Sequence, residues 1–371
     1  MSIFYLLTFI VCGVYVALMI FYLIGWSATN NNQLLTNNYQ PSTKASVIIP
    51  CRNEEKNILK IISCLQQQTY LRFEIIVVDD HSTDKIAEFI QKNKLPNLKF
   101  IQLTENKIGK KAALAEGIKN ATGDLIITTD ADCEMGERWL QEIIAFYENE
   151  KPKMIIAPVL LRGEKIFFET LQSQEMIALT VSACGSLHYN LPLLCSGANL
   201  IYETEAFEAV SGFENINKTL TGDDIFLMLK FQKHFPGQIK YLKSKKATVV
   251  TTAEKKISSV ISQRKRWASK TFLYEFNYIT IVAVVIFAAN FFIFLTGILS
   301  LINVKFAYAL IPTILLKSFA DYMLIHSATS FFGKKFNPLV FIFGSLAYPV
   351  YVSVLGLISP FTNYSWKERK S

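Results

Sequence analysis

The stretch IITTDADCEMG, residues 126–136, carries a β-branched apolar run directly into two carboxylates, Asp130 and Asp132. Such a run is typical of a buried strand. In open α/β sheets, ligands bind in the crevice at the carboxyl ends of the strands. The stretch therefore predicts a strand of such a sheet, with Asp130 and Asp132 at a ligand site where the strand ends.

The sequence around this stretch alternates between two periodicities. Short runs rich in Val and Ile predict strands at 45–50, 73–80, 98–103, 124–130 and 154–159. Between them, helical spacing of apolar residues predicts helices at 55–68, 82–93, 110–120 and 137–150. Strands that alternate with helices indicate an α/β fold with a mostly parallel, doubly wound sheet.

Polar residues gather at three of the predicted strand ends. They are Arg52, Asn53 and Glu54 after the first strand, Asp79 and Asp80 after the second, and Asp130 and Asp132 after the fourth. Taken alone, an Asp-x-Asp is more often a loop or a helix cap than a metal site. Clustered acids repel one another unless a cation joins them, and carboxylate oxygens suit Mg²⁺ or Mn²⁺. The three clusters together favour a divalent-cation site.

Apolar residues are spread unevenly over the 371 residues of the chain. No residue from Ile3 to Trp26 is charged, and about 20 apolar residues are enough to cross a bilayer. A cleaved signal peptide is the competing interpretation, but a basic segment before the run and a small-residue cleavage site after it are both missing. Later apolar stretches at 278–302, 306–325 and 338–361 are also long enough to span or nearly span.

These shifts in composition divide the chain into four parts. We predict an N-terminal transmembrane helix and linker at 1–40, a catalytic domain at 41–252, a basic interfacial helix at 253–274, and C-terminal membrane helices with a basic tail at 275–371. The six cysteines show no CxxC spacing, so we expect free thiols and no metal–thiolate site.

Basic residues near the spans predict the orientation of the domain. The basic residues before the second span are Lys255, Lys256, Arg264, Lys265, Arg266 and Lys270, which places the domain in the cytoplasm by the positive-inside rule. Three further full spans would put the basic tail outside. Two explanations stay open: 306–325, which contains Lys317 and Asp321, is re-entrant or interfacial, or the tail violates the rule.

An ordered set of motifs resembles one family. The motifs are VIIPCRNEE (47–55), IIVVDDHSTD (75–84), GKKAALAEG (109–117), TTDADC (128–133), CSGANLIYETEAFEAVSGF (195–213), TGDDIFL (221–227) and QRKRW (263–267). In this order they resemble membrane-associated family-2 glycosyltransferases, the group that includes cellulose, hyaluronan and poly-N-acetylglucosamine synthases and ceramide glucosyltransferases. The tail WKERK (366–370) is also similar to the family's, with Glu368 in place of the usual Gly. The resemblance implies a GT-A fold and sugar transfer from a nucleotide-diphosphate donor with inversion.

The same resemblance implies a role for each motif residue. Asp132, with Asp130, would hold Mn²⁺ or Mg²⁺, and Asp224, rather than Asp223, would be the base. The nucleotide-sugar donor, a UDP-sugar by expectation, would contact Pro50, Arg52, Asn53, Glu54, Asp79, Asp80, Lys110, Asp130 and Arg266. The acceptor would contact Gly197, Asn199, Gln263, Arg264 and Trp267.

Several of these residues also have a simpler structural explanation. The basic residues of 253–274 also suit an electrostatic anchor on anionic lipids. The Gly197–Asn199 segment suits an ordinary turn before a strand, and His188 suits a core or surface histidine. Lys317 and Asp321, four residues apart, suit a structural pair within one helix.

The predicted acceptor is a lipid or lipid-linked hydroxyl at the cytoplasmic face of the inner membrane. A soluble acceptor would give no reason for the membrane segments, and we expect membrane lipids but no nucleic acid as partners. The first alternative is a processive polysaccharide synthase, although about four spans are few to surround a hydrated polymer. The second is a non-catalytic scaffold that binds nucleotide sugars.

Overall fold

The computed structural model describes residues 2–31, 41–92, 95–162, 166–214, 223–271, 277–358, 365–366 and 369–370. The chain forms two compact units. The helical unit comprises Met1–Ala28, Gly163–Leu193 and Ala253–Ser371, and the sheet unit comprises Thr29–Arg162 and Leu194–Thr252. The domain predicted at 41–252 contains residues 163–193, which belong to the helical unit.

Helices and strands have the following bounds. The helices are α1 (Ser2–Ala28), α2 (Glu55–Gln66), α3 (Ile86–Lys92), α4 (Lys110–Lys119), α5 (Trp139–Glu150), α6 (Phe167–His188), α7 (Thr204–Ala209), α8 (Asp223–His234), α9 (Ile257–Thr271), α10 (Tyr278–Ile302), α11 (Ala307–Thr329) and α12 (Pro338–Ile358). The strands are β1 (Ala45–Cys51), β2 (Phe73–Asp79), β3 (Leu98–Gln102), β4 (Leu125–Thr128), β5 (Glu134–Met135), β6 (Met154–Ile156), β7 (Val159–Arg162), β8 (Leu200–Glu203), β9 (Ile239–Tyr241), β10 (Val249–Thr252), β11 (Ser365–Trp366) and β12 (Arg369–Lys370).

The main sheet of the sheet unit has the order β3-β2-β1-β4-β8-β6-β9. Strand β1 lies between β2 and β4 and is parallel to both, and β3 continues the parallel set. Strand β8 is antiparallel to β4 and β6, so the sheet is mixed. The predicted α/β fold is confirmed, and the parallel half aligns the carboxyl ends of β1, β2 and β4 at one edge.

The core of the sheet unit explains why that edge is well fixed. Ile49 on β1, Val77 on β2 and Ile127 on β4 are fully buried, and they share one hydrophobic cluster with Ile61 of α2 and Trp139 of α5. Burying one such aliphatic side chain contributes about 1.5–3 kcal/mol. The loops that follow the strands therefore start from rigid positions.

Four helices of the helical unit are long and apolar enough to cross a membrane within the described part of the chain. They occupy Ile3–Ala28, Tyr278–Ile302, Val304–Thr329 and Pro338–Ile358. The prediction of one N-terminal and about three C-terminal apolar helices is confirmed.

Helix α11 runs beside α1 over its whole length and in the same direction. The paired residues from one end to the other are Tyr5 with Lys305 (O–O 2.8 Å), Cys12 with Thr313 (S–O 3.4 Å), Tyr15 with Asp321 (O–O 2.6 Å) and Trp26 with Phe331 (ring centroids 5.4 Å). A helix of this length is long enough for a full span, which favours a span over the re-entrant alternative for 306–325.

Helix α6 was not predicted from the sequence, where 180–194 looks poorly patterned. It packs against α1 at a crossing of two glycines. A Cβ on Gly25 would lie 2.1 Å from the Gly185 carbonyl oxygen, and one on Gly185 would lie 2.0 Å from the Tyr22 carbonyl oxygen. Only glycine permits this approach, as at small-residue helix crossings in membranes.

Candidate active site

The loops that follow β1 and β2 are tied together by side-chain hydrogen bonds. Asn53 N–H donates to Ser82 Oγ (2.9 Å), and Thr83 N–H donates to Asn53 Oδ1 (2.8 Å). Glu55 N–H donates to Asp84 Oδ2 (2.9 Å). Asn53 has a φ of 55°, a left-handed conformation that Asn adopts more easily than most residues. Asn53, part of the predicted nucleotide-binding cluster, therefore also fixes the positions of the two loops relative to each other.

Asp79 and Asp80 are both 3% exposed at the end of β2. Asp79 Oδ1 accepts a hydrogen bond from Ser82 N–H (3.1 Å), and Asp80 Oδ1 accepts one from Gly109 N–H (3.0 Å). Burial raises the pKa of Asp80, partly offset by the Gly109 N–H and the Arg52 charge. Because Gly109 immediately precedes α4, Asp80 fixes the loop that carries Lys110.

Lys110, Asp130, Gly197 and Asp224 converge at the carboxyl edge of the sheet. Lys110 Nζ forms an ion pair with Asp130 Oδ1, and their side chains are 28% and 35% exposed. Gly197 N–H donates to Asp224 Oδ2 (3.2 Å), and a Cβ at Gly197 would lie 3.8 Å from Lys110 Nζ. Burial would lower the pKa of Lys110, but the carboxylates of Asp130 and Asp224 outweigh it and raise that pKa. Four residues remote in sequence thus share one site.

Asp132 lies beside this group. It is exposed, and its Oδ2 accepts a hydrogen bond from Thr251 Oγ1 of β10 (3.0 Å). Its pKa is raised, first by surrounding protein atoms that displace part of its hydration, then by the charges of Asp130 and Glu54. The neighbouring charges of Asp130 and Glu54 add to the larger effect of lost hydration, so a cation near Asp132 would be favoured. Thr251 carried no motif signal in the sequence.

This donor set can be tested for a divalent cation. Among the described residues, no group of three or more His, Cys, Asp or Glu side chains is placed to hold a metal ion. Mg²⁺ and Mn²⁺ do not require such a cage in nucleotide sites, since one or two carboxylates suffice when water and phosphate oxygens fill the other positions. The accessible carboxylate of Asp132 beside that of Asp130 fits this kind of site.

Asn199 does not fit its predicted ligand role. It is fully buried and accepts a hydrogen bond from Trp139 Nε1 (3.1 Å). Its amide donates to the carbonyl oxygens of Pro158 (2.8 Å) and Ala247 (2.9 Å). These bonds join α5, the residue before β7 and the loop before β10, so the side chain is structural, whereas the backbone of nearby Gly197 contacts Asp224.

Some other predicted site residues lie nearby or outside the described atoms. Pro50 is a partly buried residue within β1, and Arg52 follows that strand. Helix α8 begins at Asp223, whose side chain is outside the described residues. Asp224 Oδ1 accepts a hydrogen bond from Ile225 N–H (2.9 Å), which fixes the carboxylate at the start of α8.

The QRKRW motif lies on α9 of the helical unit. Its buried residue Arg264 contacts several other side chains. Arg264 is 6% exposed and pairs with Glu175 of α6 (N–O 2.5 Å). The same guanidinium donates to Gln263 Oε1 (2.8 Å) and lies over the Trp267 ring (4.1 Å to the centroid). Arg264 therefore holds Gln263 and Trp267 in place, a contact pattern different from the direct acceptor contact predicted for it. Arg266 is partly exposed on the same helix.

One known family matches most of the sheet unit together with residues 163–193 of the helical unit. Residues 46–210 match the family described as Glycosyl transferase family 2. This segment is similar in sequence to family-2 glycosyltransferases. The match begins in β1 and includes the loops after β2 and β4, where the acids converge.

Curated relatives share parts of the chain. An amylovoran biosynthesis glycosyltransferase, AmsB of Erwinia amylovora, is 37% identical over 107 residues, 28% of this chain and 36% of its own length. The putative glycosyltransferase EpsE of Bacillus subtilis is 27% identical over 190 residues, 51% of this chain and 66% of its own. A poly-β-1,6-N-acetyl-D-glucosamine synthase of Staphylococcus epidermidis is 25% identical over 247 residues, 64% and 57% of the two chains. The chain thus spans about one third to two thirds of these relatives.

A solved structure supports the predicted GT-A fold. The mannosyltransferase PcManGT of Pyrobaculum calidifontis, solved with GDP-Man and Mn²⁺, aligns with a TM-score of 0.58 at 15% identity. The alignment covers 96% of this chain and 99% of that one. At this identity the likeness concerns the fold alone.

Proposed function

We propose that the protein is an inverting glycosyltransferase that moves a sugar from a nucleotide-diphosphate sugar to the hydroxyl of a lipid or lipid-linked acceptor. The observation that carries the proposal is the convergence of Lys110, Asp130, Gly197 and Asp224, with Asp132 alongside, at one edge of the sheet. The similarity of residues 46–210 to family-2 glycosyltransferases supplies the class of reaction.

In the proposed reaction Asp224 is the general base. The acceptor oxygen forms a bond to the anomeric carbon while the bond from that carbon to the diphosphate oxygen breaks. The acceptor proton passes to the Asp224 carboxylate, and the nucleoside diphosphate leaves with the bonding electrons. Attack from the face opposite the leaving group inverts the anomeric centre. A positioned base contributes roughly 10²–10⁴-fold to such a step.

Positive charge is needed where the diphosphate leaves. A cation held by Asp132 and Asp130 would neutralise the charge that develops on the leaving group. Lys110, paired to Asp130 and near Gly197, adds a fixed ammonium to the same site. Asp79 and Glu54 remain the proposed hydrogen-bond acceptors for the nucleoside, and Arg266 the proposed diphosphate contact. A UDP-sugar is the proposed donor.

The acceptor and the location follow from the helical unit. Four candidate spans within the described residues place the protein in a membrane. The basic residues that precede α10 support the proposal that the sheet unit lies on the cytoplasmic side of the inner membrane, as the positive-inside rule predicts. The proposed acceptor is a hydroxyl on a lipid or a lipid carrier. A membrane-anchored enzyme would meet such an acceptor at the membrane surface.

A donor screen on the full chain in lipid nanodiscs tests this function. UDP- and GDP-sugars are supplied with Mn²⁺ or Mg²⁺, and the released nucleoside diphosphate is measured. The masses of the extracted lipids are determined by mass spectrometry. We expect one donor to yield diphosphate together with a lipid heavier by one sugar. Absence of diphosphate release with every donor, despite UDP binding, would instead identify a nucleotide-sugar-binding scaffold.

A processive polysaccharide synthase is the second candidate. It is favoured by the match to the poly-β-1,6-N-acetyl-D-glucosamine synthase over 64% of this chain. The same donor screen separates the two functions, because a synthase yields a ladder or high polymer on gel filtration. Single transfer yields a product of one fixed mass on thin-layer plates.

A further inference from the structure

The helical unit contains a partly open cavity of about 130 Å³ between α1, α6, α10, α11 and α12. Its lining is mainly apolar and includes Leu171, Ala178, Leu179, Ile325 and Phe341. A single water occupies roughly 10–15 Å³ on this measure, so the space is far larger than a packing defect. An empty space of this size forfeits contacts for every atom on its wall.

The charged and amide side chains on the cavity wall already have partners. Glu175 pairs with Arg264 (2.5 Å), and Gln174 Nε2 donates to the Asn337 carbonyl oxygen (3.1 Å). Asp321 pairs with Lys317 (2.6 Å) and accepts a hydrogen bond from Tyr15 (2.6 Å). Because these groups are satisfied by the protein, the cavity offers its remaining apolar surface to an apolar occupant.

The position of the cavity along the helices points to hydrocarbon. Tyr15 lies at the middle of α1, and Asp321 lies in the central part of α11, the helix that runs beside it. Both residues line the cavity. One end of the cavity is therefore at the depth of the acyl chains if α1 and α11 span the bilayer.

We propose that this cavity binds the apolar chain of the acceptor lipid, an inference that rests on the proposed function. The link to the acceptor is Glu175, which lines the cavity and holds Arg264, the residue that fixes Gln263 and Trp267 of the QRKRW motif. A chain in the cavity packs against the same helix, α6, that orients this motif. The proposed occupant is the single apolar chain of a lipid whose terminal hydroxyl is the acceptor, and a bulk phospholipid is the competing occupant that the test separates from it.

Photolabelling of the full chain in nanodiscs tests the assignment without any donor. The probe is hexadecanol with a diazirine at mid-chain, compared with phosphatidylglycerol that carries the same diazirine in one acyl chain. Labelled peptides are mapped by mass spectrometry. We expect the alcohol to label the α6 segment 171–182 and the α12 segment 341–348 at least fivefold more than the phospholipid does.

Cavity-filling variants provide the matched comparison. Ala178→Phe, with Ala178→Leu as a milder replacement in case the first does not fold, should lower cavity labelling at least fivefold. Leu346→Phe adds similar bulk to the exposed face of α12, where Leu346 is 55% exposed, and should leave labelling unchanged.

Two results would overturn the assignment. Equal labelling of the cavity by phospholipid and alcohol would make its occupant a structural membrane lipid. Labelling confined to exposed residues outside the expected segments, such as Leu339 and Leu357, and insensitive to the Ala178 variants, would show that no chain enters. Neither result depends on sugar transfer, so failure of this inference is distinguishable from failure of the proposed function, which is scored by diphosphate release.

Discussion

The two units use opposite-charge pairs in opposite ways. In the sheet unit, Lys110 and Asp130 come from separate loops and are 28% and 35% exposed. In the helical unit, Lys317 and Asp321 lie four residues apart on one helix and are 1% and 19% exposed, with Tyr15 bonded to the same carboxylate. The first pair is within reach of a polar ligand, whereas Lys317 is enclosed by protein and Asp321 borders only the mainly apolar cavity of the helical unit. Both pairs carry the same charges, so their difference in exposure decides their roles. The more exposed Lys110–Asp130 pair can exchange its partner for a ligand, and the more buried Lys317–Asp321 pair stabilises helix packing.

The largest expected effect is in the sheet unit, at Asp224. Asp224→Asn removes the proposed base while preserving size and one hydrogen-bond acceptor for the local backbone. We expect transfer to fall roughly 10³-fold, about 4 kcal/mol in the barrier, with UDP affinity within twofold of the unchanged protein. Initial rates of transfer and calorimetric UDP titration measure the two quantities. Glu208→Gln, an exposed acid on α7, is the matched control. Transfer that survives in Asp224→Asn would remove Asp224 as the base.

The buried pair of the helical unit should give the next largest effect, on stability. Lys317→Met leaves Asp321 charged without its cation in an apolar interior, which should destabilise the unit by about 3 kcal/mol. The double substitution Lys317→Met with Asp321→Asn should recover most of this loss, because no unpaired charge remains and Tyr15 can still donate to the amide oxygen. Thermal unfolding in detergent is the measurement, with Lys305→Met at the bundle end as control. Equal losses in the single and double variants would contradict a role of the pair in charge balance.

The exposed site should show its cation dependence at Asp132. Asp132→Asn should weaken Mn²⁺-dependent UDP binding by about 10²-fold, close to 2.7 kcal/mol, while binding without metal stays the same. Titration of UDP with and without Mn²⁺ measures this, and Glu137→Gln is a nearby exposed control. Unchanged affinity in Mn²⁺ would remove Asp132 from the ligand set.

The pH dependence of the same binding sharpens this test. Because the pKa of Asp132 is raised, a proton competes with the cation at a higher pH than for an ordinary aspartate. The Mn²⁺-dependent affinity for UDP should therefore be at its maximum above that raised pKa. It should fall as the pH decreases through it, because protonated Asp132 no longer binds the cation. In Asp132→Asn, this pH-dependent change in UDP affinity should be absent. A profile identical in both proteins would assign the titration to another group.

The smallest effect is expected where the helical unit supports the QRKRW motif. Glu175→Gln removes the charge that holds Arg264, and we expect the KM for the acceptor to rise about tenfold, or 1.4 kcal/mol. Hydrolysis of the donor without acceptor should keep its kcat, because Glu175 lies in the helical unit and is proposed to act on the acceptor, through Arg264 and the cavity wall. Steady-state kinetics with varied acceptor measures the split, and Glu169→Gln on the same helix is the control. A proportional loss in both reactions would indicate a general structural defect.

Local patterns predicted the strands and helices of the sheet unit closely. The predicted strands at 45–50, 73–80 and 98–103 correspond to β1, β2 and β3 within a residue or so at each end. The runs of β1 and β2 are recognisable because burial on both faces of a parallel sheet demands nearly continuous Val and Ile, whereas β3 at the edge of the sheet is only partly buried. Helix α6 was missed because its buried positions include Thr, Gln, Ser and Gly, which carry no apolar periodicity.

Residue roles were harder to predict than elements. Asn199 and Gly197 are two positions apart in one motif, yet one is in the core and the other faces Lys110 and Asp224. Thr251 and Glu175 carried no motif signal, because their importance comes only from the side chains that they meet, Asp132 and Arg264. A motif marks a segment, and packing decides which of its atoms remain available.

The sequence by itself determined that acids follow three strands of an α/β sheet, that four segments are apolar enough to span a bilayer, and that the motif order resembles family-2 glycosyltransferases. These features depend on residue type and spacing along the chain, so they can be seen without coordinates. Tertiary structure alone decided that Asp130 pairs with Lys110, that Asp224 meets Gly197, and that α11 accompanies α1 for its full length. Such contacts join residues tens to hundreds of positions apart, and only the packing of a complete core selects them among the many pairings that the same composition permits.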